Sequence, residues 1–237
     1  MLRKAIAVGL LLAAAQARAD YQCPVTPQDD IAITGQQVEI TGSNGQMIIT
    51  PRGEITFNGQ PVRTDNALRQ QAISYQNALR NDLPWIDSGA RQRLENSRAA
   101  LDKVIVEKLG ADSHVRTRLA TLDTQLKEQM NRIIEQRSDG VMFHHQAIDQ
   151  VRSEGQKLVQ SALGGILQDS LNELGSAKTS GDNPLQALMG NLGGLQQSIR
   201  SEADKQEKDF QAFGKQVCGK VVALEKQRTS LWQQVSH

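Results

Sequence analysis

The sequence predicts an α+β fold, a small N-terminal antiparallel β-meander packed on a bundle of long, coiled-coil-like α-helices. Three observations predict it. Residues 29 to 62 alternate apolar and polar side chains between clusters of turn residues, the period-2 signature of half-buried strands. After Pro61 the apolar spacing changes to steps of three and four, as in helices that bury one stripe. Only two cysteines occur, Cys23 and Cys218, one near each end; a bridge between them would fasten the first segment to the last helix.

The strands come first. Segments 30–34, 37–41, 46–50 and 54–58 are short and β-branched, and Gly35, the run 42–45, the run 51–53 and Asn58-Gly59 punctuate them. Asn-Gly between alternating runs is a strong two-residue hairpin signal, because both turn residues need a positive φ. Ile31, Ile33, Val38, Ile40, Ile55 and Phe57 give the meander one apolar face, which must cover something to be stable. The helical remainder is the expected cover.

Thr64 or Asp65 is placed to cap a first helix carrying Leu68, Ala72, Tyr75 and Leu79, and Pro84 is expected to end it. A second helix is expected from Asp87 and Ser88 to a glycine cap at Gly110. A third, from Asp112 or Ser113, carries Val115, Leu119, Leu122, Leu126, Ile133 and Ile134 on one seam. A fourth stretch, 141–174, has Phe143, Ile148, Val151, Val159 and Ile166 on one face, with Gly155 and Gly164-Gly165 interrupting it. The last helix has a heptad-like stripe through Ile199, Gln206, Phe213 and Val217, then Leu224, Arg228, Leu231 and Val235. From Ser198 to Val235 it would reach about 57 Å at about 1.5 Å per residue. The expected organisation is thus a secretory signal at 1–19, the meander at 20–63, a helical region at 64–174, a linker or hairpin turn at 175–184 and a C-terminal helical region at 185–237.

The first nineteen residues carry an address. Arg3 and Lys4 precede an apolar run, and Ala17-Arg18-Ala19 forms a small-residue site with cleavage expected between Ala19 and Asp20. The run is too short for a membrane-spanning helix of about 20 apolar residues, so no integral membrane segment is expected after cleavage. The segment holds Arg3, Lys4 and Arg18 and no acid, so its removal turns a formal charge of +1 into −2. That charge, with only 3% aromatic residues, disfavours nucleic acid as a partner. An exported chain also meets an oxidising compartment, where the Cys23–Cys218 bridge persists.

Signatures of catalysis were sought along the chain. The nucleophile elbow, the phosphate-cradling glycine loop, the dinucleotide fingerprint and the helical zinc motif are all missing from the sequence. His144 and His145 are adjacent, and on a regular helix they would point about 100° apart, unable to hold one ion together. Asp139, before Gly140 and a few residues ahead of the histidines, could in principle tune a general base, but Asp-Gly reads more plainly as boundary chemistry. No catalytic residue, cofactor site or metal site is expected.

The strand region ending Ile49-Thr-Pro-Arg-Gly-Glu-Ile-Thr-Phe-Asn-Gly-Gln-Pro-Val62 and the stretch Leu126-Lys-Glu-Gln-Met-Asn-Arg-Ile-Ile-Glu-Gln-Arg-Ser-Asp-Gly140 resemble the YggN-like envelope proteins of Gram-negative bacteria. The resemblance covers nearly the whole mature chain, both cysteines included. It implies a periplasmic setting and a single family-wide domain, and it carries no activity to any residue. Long heptad-like stripes, glutamine-rich polar faces and the lack of a catalytic constellation point instead to a non-enzymatic interaction or structural protein of the envelope, with an envelope protein or a second copy as partner. The alternative is a small-molecule or lipid binder, with a pocket of about 300 Å³ or more between the sheet and the glycine-rich apolar segments 162–174 and 185–195.

Overall fold

The computed structural model describes residues 23–176 and 184–236. The expected signal segment, its Ala19-Asp20 junction and most of the expected linker lie outside these residues. Eleven elements follow one another among them: β1 (Asp29–Thr34), β2 (Val38–Gly42), β3 (Gly45–Ile49), β4 (Ile55–Phe57), β5 (Gln60–Pro61), α1 (Asn66–Leu109), α2 (His114–Ile133), β6 (Ile134–Arg137), β7 (Gly140–Phe143), α3 (Ala147–Ser176) and α4 (Pro184–Val235).

The strands form one antiparallel sheet in the order β5-β4-β3-β2-β1-β7-β6. Alternation decides its faces: Ile31, Ile33, Val38, Ile40, Met47 and Ile49 are all buried and join one core with the helices. Asn58 and Gly59 form the β4–β5 turn with φ of 47° and 79°, the conformation that an Asn-Gly pair adopts at least cost.

The sheet is wider than the four strand segments read from the sequence. Residues 134–143, read from the sequence as the end of one helix and the start of another, form the β6–β7 hairpin, and β7 pairs with β1. Ile134 and Phe143 sit opposite each other and are both buried, so a strand pair satisfies the same apolar positions that suggested a helical seam. Ser138-Asp139 makes the turn. Gly140 is required next to it: its φ is 156°, and a Cβ there would lie 1.8 Å from the backbone oxygen of Ile33.

The helices differ from expectation in a second way. Pro84 does not end a helix; α1 runs through it for 44 residues. Proline removes one backbone donor and crowds the preceding turn, at a cost of about 3 kcal/mol. Leu79, Leu83 and Ile86 on both sides of it are buried in the core, and their burial at about 1.5–3 kcal/mol each outweighs that cost. The caps form as expected, with the Asp65 carboxylate accepting from the Leu68 amide at 2.8 Å and the Ser113 hydroxyl accepting from the Val115 amide at 3.2 Å.

α1 and α4 lie antiparallel along their length. Ser97 meets Gln206, a Cβ on Gly89 would collide with Phe213, Asp82 meets Lys220 and Gln71 meets Gln234. α2 and α3 form the other antiparallel pair through Arg118–Asp169 and Arg132–Glu154. α4 is a single helix of 52 residues, so the apolar stripe at 185–195 continues into the last helix instead of standing apart. Cys23 and Cys218 are disulfide-bonded with their Cα atoms 5.5 Å apart, and the first described residue is thereby fixed to α4.

Candidate functional site

A partly open cavity of about 130 Å³ lies where the sheet meets the base of the bundle. Ile31 of β1, Tyr75, Leu79 and Leu83 of α1, and Val217, Val221 and Leu224 of α4 line it. The β6–β7 hairpin contributes Ile134 and Phe143, and the first turns of α3 contribute Ile148, Val151 and Arg152. Among the residues whose side chains are described, none of those lining it falls in the glycine-rich segments 162–174 or 185–195, where the sequence placed the pocket. It is also smaller than the volume expected there. Its size is near that of an engineered apolar cavity that admits benzene, about 150 Å³.

The remaining side of the cavity is the stretch from Cys23 to Gln28, which has no regular secondary structure. Exposure alternates along it: Cys23 is buried, Val25 and Pro27 are half-buried, and Pro24, Thr26 and Gln28 are exposed; Cys23, Val25, Pro27 and Gln28 line the cavity. Here the wall is one extended chain thick. Prolines at 24 and 27 suit such a segment, since neither can donate to a strand ladder.

Polar groups gather at one end. Asp29, buried to 3% exposure at the start of β1, pairs with Arg228 of α4, which also holds Glu225 at 2.9 Å. Burial works against the charge on Arg228, and the hydrogen bond and charge of Asp29, together with the charge of Glu225 and the Tyr75 phenol, more than offset it, so its pKa is held above the ordinary value. Burial pushes the Tyr75 phenol far above its usual range, with Asp29 and Glu225 adding to the shift and Arg228 opposing it. Tyr75 thus stays protonated at any physiological pH. Gly42, directly across the sheet from Asp29, leaves room for this pair, because a Cβ there would fall 1.7 Å from Asp29 Oδ1. On the other side, Asp87 is buried and held by Arg91 Nε at 2.9 Å and by Gln136 Nε2 at 2.9 Å. Arg152 pairs with Asp149 through Nη1, while its Nη2 is buried without a partner among the described residues.

The histidine pair acquires different neighbours from those expected. His144 and His145 follow a strand, and both turn toward Asp30: the His145 backbone amide donates to Asp30 Oδ1 at 2.9 Å and its Nδ1 lies 2.6 Å from the same oxygen. His144 Nε2 lies 3.2 Å from Glu135, which Arg137 also holds at 2.8 Å. The Glu135 carboxyl is held below its usual range by Arg137 first and His144 second. Asp139 takes no part except as a nearby charge on Arg137. The cluster fastens the end of β7 to β1. Among the described residues no group of three His, Cys, Asp or Glu side chains is placed to hold a metal ion, and no helix is long and apolar enough to cross a membrane.

Sequence reasoning missed Asp29, Arg152 and the strap at 24–28. One signal for the first was available: Arg228 interrupts the inner stripe between Leu224 and Leu231, and a cation at an inward position calls for a buried acid.

Comparison with known proteins gives a consistent answer over almost the full chain. It is 56% identical over 234 residues to the "Uncharacterized protein YggN" of Escherichia coli K12, covering 98% of each chain, and the proteins of the same description from the CFT073 and O157:H7 strains match to the same extent. No solved structure matches it. The family model described as "Protein of unknown function (DUF2884)" matches residues 23–237, from the first bridged cysteine to the last residue, and the chain belongs to that family.

Proposed function

We propose that this protein is a non-enzymatic periplasmic protein of the envelope that holds a small apolar or amphiphilic molecule between its sheet and its helices. The observation that carries this reading is the cavity: a contiguous apolar lining with the Asp29–Arg228–Glu225 cluster at one end, the arrangement that receives an apolar body and a polar end. A close-packed interior leaves few voids, and an apolar one of this size costs stability unless something fills it. The leader-like N-terminal segment and the bridge support the compartment. A molecule inside is favoured over a protein partner outside because the exposed large apolar side chains among the described residues, Trp85, Leu171 and Val222, sit on three different helices.

The test is a titration of methyl-labelled protein with 1-octanol, followed by NMR. Saturable shifts confined to Leu79, Val151, Val217 and Leu224 are expected, and Ala90→Phe, which fills the cavity from α1, should abolish them while the protein stays folded. Shifts that scatter over the surface or never saturate would remove the reading.

A further inference from the structure

We infer that residues 24–28 are a strap that gates this cavity, hinged at the buried Asp29–Arg228 pair and latched by the Cys23–Cys218 bridge. The inference rests on the reading above for the ligand but not for the motion. Three observations carry it. Val25 and Pro27 face the cavity and the exposed Gln28 borders it, while Pro24 and Thr26 face solvent, so moving this one length of chain opens the interior. Among the described residues no backbone hydrogen bond ties residues 24–28 to a neighbouring element; the ladder of β1 begins at Asp29. Both ends of the strap are fixed to the same helix, at Cys218 and Arg228 of α4, which is itself held along α1. Between two firm anchors lies a segment secured only by two half-buried side chains, the low-stability kind of element from which gates are drawn.

The bridge therefore limits how far the strap swings. With Cys23 bonded, only bowing of the middle residues is open to it; with Cys23 free, the whole segment turns about Asp29. A molecule passing in or out meets the strap as its main barrier, and the bridge sets exchange rates more than affinity, since the interior walls of α1, α4 and β1 do not depend on it.

The experiment compares oxidised protein, protein with the bridge reduced, and an oxidised Val25→Gly/Pro27→Gly variant that loosens the strap with the latch intact. Without any ligand, a water-soluble paramagnetic agent should attenuate the methyl signals of Leu79 and Val217 at least threefold more in the reduced protein and to an intermediate degree in the variant, while Ile40 and Met47, buried away from the cavity, stay unchanged. With 1-octanol, association and dissociation rates should both rise at least tenfold on reduction and keep the same shift pattern. Should reduction unfold the protein, the variant alone decides the outcome. Leu79 and Val217 remaining as protected as Ile40 in every form capable of folding overturns the gate, even where octanol binds. Methyl exposure that changes as expected while octanol binds no form leaves the gate standing and overturns the ligand reading instead.

Discussion

The two ends of the bundle are built on different principles. At the sheet end, one continuous core joins strands to all four helices, and a disulfide and a buried ion pair cross it between residues 195 and 199 positions apart in sequence. At the far end a separate small cluster, Ile105, Val115, Leu119 and Ile166, holds the helices together. Around it the ties are half-exposed polar contacts: Arg116 with Asp102 at 2.8 Å, Arg118 with Asp169 at 2.7 Å, and Glu173 accepting from Ser113 and from the first amide of α2. Four buried side chains contribute on the order of 6–12 kcal/mol before entropy is charged against them. The ties of longest sequence range, covalent and buried, lie where the interior is least filled, and the far end relies on half-exposed polar contacts between residues 14 to 60 positions apart.

The contrast can be broken or sharpened by experiment. Removing the bridge with Cys23→Ser and Cys218→Ser should have the largest effect, a loss of about 5 kcal/mol in the chain-entropy model for a loop of this length. Urea unfolding measures it, and a loss under about 1 kcal/mol would show that the sheet end does not depend on its staple. Next is Asp29→Asn, which leaves the buried Arg228 only Glu225 and should cost about 3 kcal/mol. A double-mutant cycle with Arg228→Gln should give a strongly coupled pair, and additive losses would contradict the buried pairing.

The smallest expected effect belongs to the far end. The hydrogen bond from Arg116 holds the Asp102 carboxyl below its usual range, and Arg118 does the same for Asp169. A depressed carboxyl pKa stabilises the fold at neutral pH, and that contribution fades as pH falls below about 4, through the folded-state values. On acidification, amides near Val115 and Leu119 should therefore exchange with solvent before those of β1 and β2. Arg118→Gln should shift Tm at pH 7 by less than about 2 °C, as befits one well-solvated pair, while weakening that acid response. Simultaneous opening of both ends would mean that the bundle unfolds as one unit.

How much of this was legible depended on the range of the interaction. Turns and caps are written locally, so Asn58-Gly59, Asp65 and Ser113 act as their residue types demand. The bridge was legible because only one pairing exists. Pro84 misled because a local penalty was set against packing that only the folded chain supplies. The β6–β7 hairpin misled because Ile133, Ile134 and Phe143 fit a helical seam as well as a strand pair, although Asp139-Gly140 was a turn signal in plain view. Of the cavity, only a place between sheet and helices was read: its lining comes from segments spread between Cys23 and Arg228, and its hollowness is a property of how they fail to fill space.

The bridge at the two ends has a further consequence for survival among proteases. With Cys23 bonded to Cys218, nearly the whole domain is a closed covalent ring. One cut in an exposed turn, between α1 and α2 for instance, would open the ring without releasing a fragment, and the two pieces would stay joined in their folded places. Only a second cut could set part of the molecule free.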